Sequence, residues 1–399
     1  MAKRKKKKGG LFRFLRNLII FAAVLVLAWF VLGLVPRQSN FPGENPMRSG
    51  ELPVLIAHGG GNREFPDNTL EAFYNAYSVD PRVMMETDVS ITKDGVVILS
   101  HDTTLDRKTN VTGAIADWNY ADLMAQEVDF GYTNPTKGGK LNGKRVRFTT
   151  DGGRNVSPLD VAYPDGVTPR HDSRFLCTTL EDLLIAFPEN RINVEIKQEG
   201  ETGRRALKEV IRLLEEYDAF DRVVLASFHD EMYEAFVALQ VSGQVPESFM
   251  YSPSVKPMIK YVAMGAVNLD FLFKDGLCVF QLPTEQMGIP LNTRWLVDSA
   301  HRHNVAVHYW TINDVSEMQH LIDIGADGIM TDYPHLLEQV LAAQSSDGPT
   351  SVIVPGEGWE EEEELPAVKP TNTPRPTRTP RPTNTPRPGD YDAMDGSGI

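Results

Sequence analysis

Along residues 51–343, short runs of β-branched and apolar residues alternate with segments whose apolar positions recur at helical spacing. The runs Pro53–Ala57, Val83–Ser90, Arg191–Ile196, Arg222–Ala226, Val245–Tyr251, Leu277–Leu282, Val305–Tyr309 and Asp327–Met330 predict strands. Segments of helical period follow most of them: Thr69–Ser78, Leu180–Phe187, Arg204–Tyr217, Glu231–Leu239, Arg294–His303, Val315–Ile324 and Leu336–Ala343. A strand followed by a helix, about eight times over, predicts an α/β fold, a closed (β/α)8 TIM barrel. An open doubly wound sheet is the alternative the pattern leaves. The stretch from Asp102 to Cys177 breaks the rhythm, being rich in Gly, Asn, Pro and Lys. Loops that long within a compact domain usually serve function, so a cover over a site is expected there.

Both ends of the chain differ from this body. Lys3 to Lys8, Arg13 and Arg16 precede an uncharged apolar run from Leu18 to Val35. At helical rise about 18 residues span about 27 Å, close to a hydrocarbon core of roughly 30 Å. The sequence Val35-Pro36-Arg37-Gln38 offers no small-residue cleavage site, so an uncleaved signal-anchor is expected rather than a signal peptide. The basic flank, residues 1–17, should stay in the cytoplasm and send the rest of the chain across a cell membrane in a single pass. Residues 36–50 then read as a linker, 51–343 as the barrel with 102–177 inserted, and 344–399 as a disordered tail. In that tail Glu360–Glu364 is an acidic run and Thr-Pro-Arg-Pro recurs between Pro370 and Pro388, too polar to form a core.

Charge and cysteine content narrow the function classes. The net charge is −14 although the first residues are basic, so the body lacks the basic face that binding nucleic acid needs. Two cysteines, Cys177 and Cys278, exclude a disulfide scaffold and are expected as free thiols.

In a barrel of this kind the chemistry sits where strands end. The first predicted strand runs into His58-Gly59-Gly60-Gly61, where glycines allow a sharp turn and close backbone approach. In the second, Glu86 and Asp88 are two residues apart and so share one strand face. Asn193, Glu195 and Lys197 alternate in the same way in the third, which places Glu195 beside the other two acids. Three oxygen-donor acids without a cysteine suit a hard divalent cation, Mg²⁺ or Ca²⁺, more than zinc. Lys197 reads as their counter-ion or as a phosphate ligand. His101 follows a short strand, Val96–Leu99, and is a second imidazole near the mouth. A general acid and a general base titrating near neutrality, next to a hard-metal site, suit cleavage of a phosphodiester. Trp310 lies two residues beyond His308 and is a candidate wall of a substrate slot, with core packing as the alternative. His171, His229, His301 and His303 read as surface or capping residues.

These motifs together resemble the glycerophosphodiester phosphodiesterase family. The matching residues are Val54 to Gly61, Pro66-Asp67-Asn68-Thr69, Glu86-x-Asp88, Thr92 to Gly95, His101-Asp102 through Arg107 to Gly113, Thr179 to Leu183, Asn193 to Lys197, Trp310 to Asn313, and Gly325 to Pro334. The resemblance covers the whole body in order. It implies a TIM barrel, His58 and His101 as acid and base, Glu86, Asp88 and Glu195 as metal ligands, and Lys197 near the phosphate. It further implies release of an alcohol and glycerol 3-phosphate from deacylated phospholipids, or lysophospholipase D-type action on membrane lysophospholipids. A non-catalytic binder of phosphate ligands is the third reading; retention of both histidines and all three acids weighs against it. One position departs from the pattern, because Gly59 stands where the family usually has a phosphate-binding arginine. The backbone N–H groups of Gly59 to Gly61, or Arg63 nearby, are the expected replacements.

Overall fold

The computed structural model describes residues 9–344 except 134, 135, 138, 139, 142 and 287. The first eight residues and the acidic and proline-rich tail expected after 344 lie outside the described residues. Eight parallel strands form the centre: β1 (Val54–His58), β2 (Met84–Ile91), β3 (Ile192–Ile196), β4 (Val223–Ala226), β5 (Met250–Tyr251), β6 (Val279–Leu282), β7 (Ala306–Tyr309) and β8 (Gly328–Thr331). They pair in the order β5-β4-β3-β2-β1-β8-β7-β6. Because β1 pairs with both β2 and β8, the first and last strands are neighbours and the open sheet is excluded. The predicted strands are all present, though of Val245–Tyr251 only the last two residues pair, with β4. The short strand Val97–Leu99 adds antiparallel to β2.

Alternation along the strands divides each into an inward and an outward set. Ile56, Met84, Val224, Met250, Val279, Ala306 and Met330 form an inner apolar cluster. Leu55, Ala57, Met85, Val194, Leu225, Phe280, Val307 and Ile329 join the larger core between strands and helices. Most helices of that outer layer are those the periodicity predicts, and Thr69, Thr179, Thr293 and Asp314 cap four of them with side-chain oxygens. One helix, Val255–Ala266, was not expected.

The stretch read as a linker packs under the barrel. Met47 is fully buried in the inner cluster beside Phe41. The Asn45 amide donates to the carbonyls of Cys278 and Asn304 at 2.6 and 2.7 Å, and Arg37 pairs with Asp270 at 2.6 Å with both side chains buried. Before it stands the helix Gly9–Gly33, in which Phe12–Gly33 is long and apolar enough to cross a membrane, a test that signal sequences also pass. Its last turns touch the barrel: the Trp29 indole donates to the Ala266 carbonyl at 3.2 Å.

The insertion departs from its expected role. Much of it packs against the flank of the helix Leu70–Val79, where Tyr163 stacks edgewise on Tyr74 at 5.2 Å, while Asp102 and Asp151 reach only the rim of the mouth, at His101 and at Arg63. None of its described residues lines the central cleft. The reason is compositional. Phe130, Val161, Phe175 and Cys177 supply enough apolar surface for a buried seam with the outer core, and Lys108, fully buried, donates to the Asp67 carbonyl.

Candidate active site

The inward alternation that gives apolar residues at one end of the barrel gives polar ones at the other. Continuing the inner set by two residues leads from Ile56 to His58, from Met84 to Glu86 and Asp88, and from Met330 to Asp332. On β3 the same parity gives Asn193, Glu195 and, just past the strand, Lys197. On β6 and after β7 it gives Gln281 and Trp310. His58, His101, Glu86, Asn193, Glu195, Lys197, Gln281 and Trp310 all line one cleft of about 980 Å³.

Glu86, Asp88 and Glu195 offer carboxylate oxygens that lie within 4.8 Å of one another. Their charges are not balanced by protein alone. Burial and the neighbouring Asp88 both raise the pKa of Glu86, although His58 and the Gly59 N–H oppose this. Burial likewise raises that of Glu195 against the pull of Lys197. For Asp88 the balance reverses, since Lys197 and the histidines outweigh burial and lower it. The Lys197 ammonium sits 2.9 Å from both Asp88 and Glu195, and the Asn68 amide holds the second Asp88 oxygen at 2.9 Å. Asn193 Oδ1, an oxygen donor lining the same cleft, is buried without a protein partner. Clustered acids carrying excess negative charge beside an unpartnered carbonyl oxygen fit a hard divalent cation.

Each histidine is oriented by a carboxylate. His58 Nδ1 donates to Asp332 Oδ1 at 2.6 Å, and Asp332 is itself held by the Asn313 amide at 2.7 Å. His101 Nδ1 donates to Asp102 at 2.9 Å; Arg107 then joins Asp102, at 2.8 Å, to Asp67, at 2.9 Å. Fixing Nδ1 as donor leaves Nε2 of both rings for the cleft. Burial alone would lower the pKa of His58, but the Asp332 hydrogen bond with Glu86, Asp332 and Asp88 raises it to about 9. That of His101 is also raised, first by the bond to Asp102.

The glycine turn does not offer the expected anion cradle. The Gly59 N–H donates to Glu86 Oε2 at 2.9 Å, Gly60 to the Ala57 carbonyl at 3.1 Å and Gly61 to the His58 carbonyl at 2.9 Å. All three are used to shape the turn, whose tightness is real, since a Cβ on Gly60 would stand 2.7 Å from that of Ala72. Arg63 points to Asp151 at 3.2 Å, is half exposed and does not line the cleft. Trp310 does line it, packed edgewise on Phe228 at 5.6 Å. His308 is core: its ring is fully buried, donates to the Met47 carbonyl at 3.0 Å, and is pushed by burial to a pKa of about 4. Among the other histidines, His301 pairs with Asp327 at 2.7 Å, His229 precedes the helix Asp230–Val241, and His303 is buried against Asp270.

The family model for the glycerophosphoryl diester phosphodiesterase family matches residues 58–336, from the first histidine to beyond the last strand. The chain belongs to this family. It is thus a phosphoric diester hydrolase by membership, and relatives differ in what they are named for. It is 26% identical over 293 residues, 73% of this chain and 91% of the relative, to probable glycerophosphodiester phosphodiesterase 2 of Mycobacterium tuberculosis. It is 24% identical over 304 residues to a lysophospholipase D of Homo sapiens, covering 72% of this chain and 84% of that one. The fold is similar to that of an Oleispira antarctica phosphodiesterase solved with the product sn-glycerol-3-phosphate, with a TM-score of 0.51 at 19% identity over 72% of this chain and 96% of the other.

Sequence reasoning did not single out Asp332, Asp102, Asn68 or Gln281 as parts of the site. Asp102 is adjacent to His101 and Asp332 lies within the Gly325 to Pro334 motif, so both were visible as residues. Their roles needed the ring of strands to bring β8 beside β1.

Proposed function

We propose that this protein hydrolyses glycerophosphodiesters to an alcohol and glycerol 3-phosphate at the mouth of the barrel. The observation that carries the reading is the pair of carboxylate-oriented histidines sharing one cleft with three clustered acids. Glu86, Asp88 and Glu195 would hold Mg²⁺ or Ca²⁺, which supplies Lewis-acid neutralisation of the phosphate when bound. His58 carries a proton at neutral pH and is suited to protonate the departing alkoxide as the phosphorus–oxygen bond breaks. His101, half exposed at the rim, takes the proton of the attacking oxygen. Lys197, once the acids engage a cation, is free to turn to a non-bridging phosphate oxygen. Gln281 Nε2, buried and without a protein acceptor, is a donor for the substrate's glycerol oxygens, and Trp310 forms an apolar wall beside it. These groups take over from the arginine replaced by Gly59.

The same reading places the catalytic body outside the cytoplasm. The helix Gly9–Gly33 serves as a single-pass anchor after the basic segment, and the barrel follows. Incubating the full chain in detergent with glycerophosphocholine tests the activity. Choline and glycerol 3-phosphate should appear in equal amounts, stop with chelator, and resume on adding Mg²⁺ or Ca²⁺; unchanged turnover after chelation would remove the metal from the account. A second reading, lysophospholipase D-type cleavage, is favoured by one observation: the cleft continues past the polar mouth along an apolar helix face.

A further inference from the structure

We infer that Asp151, near the tip of a turn in the insertion, is a positioning residue for His58: it holds the Arg63 guanidinium away from Asp332 and so keeps that carboxylate for the imidazole. This rests on the proposed phosphodiesterase reading and adds to it a residue outside the cleft. The turn is closed on itself. Thr149 bridges Asn155, the Thr150 N–H donates to the Arg154 carbonyl at 3.0 Å, and the Gly153 N–H donates to the Thr150 carbonyl at 2.8 Å. Its base is tied to the buried seam, because the Phe148 N–H donates to the Gly131 carbonyl at 2.9 Å and Arg147 stands 2.5 Å from the buried Asp129. From this turn Asp151 reaches two residues that flank the partner of His58. One of its oxygens accepts from Arg63 at 3.2 Å and the other from the hydroxyl of Tyr333, the residue directly after Asp332.

Arg63 has two carboxylates within reach and is bonded to only one. Its backbone N–H donates to the Asp332 carbonyl at 3.3 Å, which brings its side chain alongside, yet its Nε stands 3.8 Å from Asp332 Oδ2, beyond hydrogen-bond distance. Burial would lower the Arg63 pKa, but Asp151, ahead of Asp332, outweighs it. Asp332 meanwhile has both oxygens in use, Oδ1 by His58 Nδ1 at 2.6 Å and Oδ2 by the Asn313 amide at 2.7 Å. A guanidinium grips a carboxylate with two parallel N–H bonds, which together outcompete the one bond of an imidazole. Without Asp151, Arg63 would close the remaining gap, occupy Asp332 and displace the ring. The Arg63–Asp151 pair is about half exposed on both sides and contributes little to stability. Its consequence is which carboxylate the cation occupies. Arg107, also in the insertion, fixes Asp102 for His101, so the insertion reaches both imidazoles through their carboxylates.

The test measures kcat and KM on glycerophosphocholine, with Mg²⁺ or Ca²⁺ present, for the full chain in detergent as wild type, Asp151→Ala, Arg63→Met and the double variant. Asp151→Ala should lose about tenfold in kcat with KM within about twofold, because the lost geometry serves the chemical step rather than binding. Arg63→Met has no cation to misplace and should stay within about threefold of wild type. Adding it to Asp151→Ala should restore kcat to the Arg63→Met level. A collapsed turn would not be rescued by removing its partner. Unchanged kcat in Asp151→Ala, a loss in Arg63→Met as large as that in Asp151→Ala, or a double variant as slow as Asp151→Ala would overturn the inference. A crystal structure of Asp151→Ala supplies a readout that needs no turnover. Arg63 should there lie about 3 Å from the Asp332 carboxylate, with His58 Nδ1 displaced from it, and a guanidinium still clear of Asp332 refutes the inference. If wild type does not hydrolyse glycerophosphocholine, the catalytic reading fails on its own while that structure still decides where Arg63 goes.

Discussion

The two histidines differ in how their surroundings hold them. His58 is largely enclosed, and its Nδ1 bond to Asp332 is the shorter of the two, at 2.6 Å. His101 is 50% exposed and depends on Asp102, which Arg107 anchors in turn. A proton donor must be charged to act, so activity should fall as pH rises through the raised His58 value of about 9, or a lower value where a cation offsets the Glu86 and Asp88 contributions. Asp332→Asn removes the main partner that raises it. The alkaline limb of the kcat profile should then move to lower pH, with kcat down by roughly 10- to 100-fold. A profile unmoved by the substitution would show that Asp332 does not tune the imidazole. At Gln281 the expected effect is on binding: Gln281→Leu should raise KM several-fold with little change in kcat, as for uniform binding of ground and transition states.

At the scale of elements, the Asp67–Arg107 link joins the loop after β1 to the start of the insertion and thereby props His101 from a distance. Burial would raise the Asp67 pKa, but Arg107 and Lys108 outweigh it and hold it well below the usual carboxylate range. A lowered folded value means that its stabilisation is complete above the unfolded value near pH 4 and is lost as pH falls through the folded one. Asp67→Asn should cost about 3 kcal/mol at neutral pH by leaving buried cations short of a partner. The gap between wild-type and variant melting temperatures should narrow below about pH 4, and a constant gap would speak against this linkage. The strands were legible in the sequence because buried parallel strands are dense in Val, Ile and Leu, and the three acids because period two puts them on one face. The helix Val255–Ala266 was not, since Pro257 stands in its first turn and the exposed Val255 and Ile259 blur its apolar face. The insertion's length alone suggests a cover, and its buried seam is not legible because its apolar anchors are too widely spaced to show a period.

For the molecule as a whole, the barrel is closed from below by a segment whose sequence resembles a linker. Only Phe41 and Met47 betray it, and two apolar side chains among Pro, Gly and Asn form no pattern. Met47→Ala should therefore destabilise the barrel by about 2–5 kcal/mol, as for other buried large-to-small changes. Thermal unfolding of the full chain in detergent measures this, and a shift near zero would mean the segment is dispensable. The plug also explains why His308 is structural, although it shares a strand face with Trp310: it lies one layer deeper and is neutral, bonded to the Met47 carbonyl.

Whether the two imidazoles work as one unit with the acid cluster is read most directly from kcat on glycerophosphocholine for His58→Ala, His101→Ala and the double variant, with Mg²⁺ or Ca²⁺ present. Each single change should lose roughly 10²- to 10⁴-fold, and the double variant should be no worse than the weaker single, as for residues that act together. Near-wild-type turnover in either single variant, or losses that multiply in the double, would contradict the account.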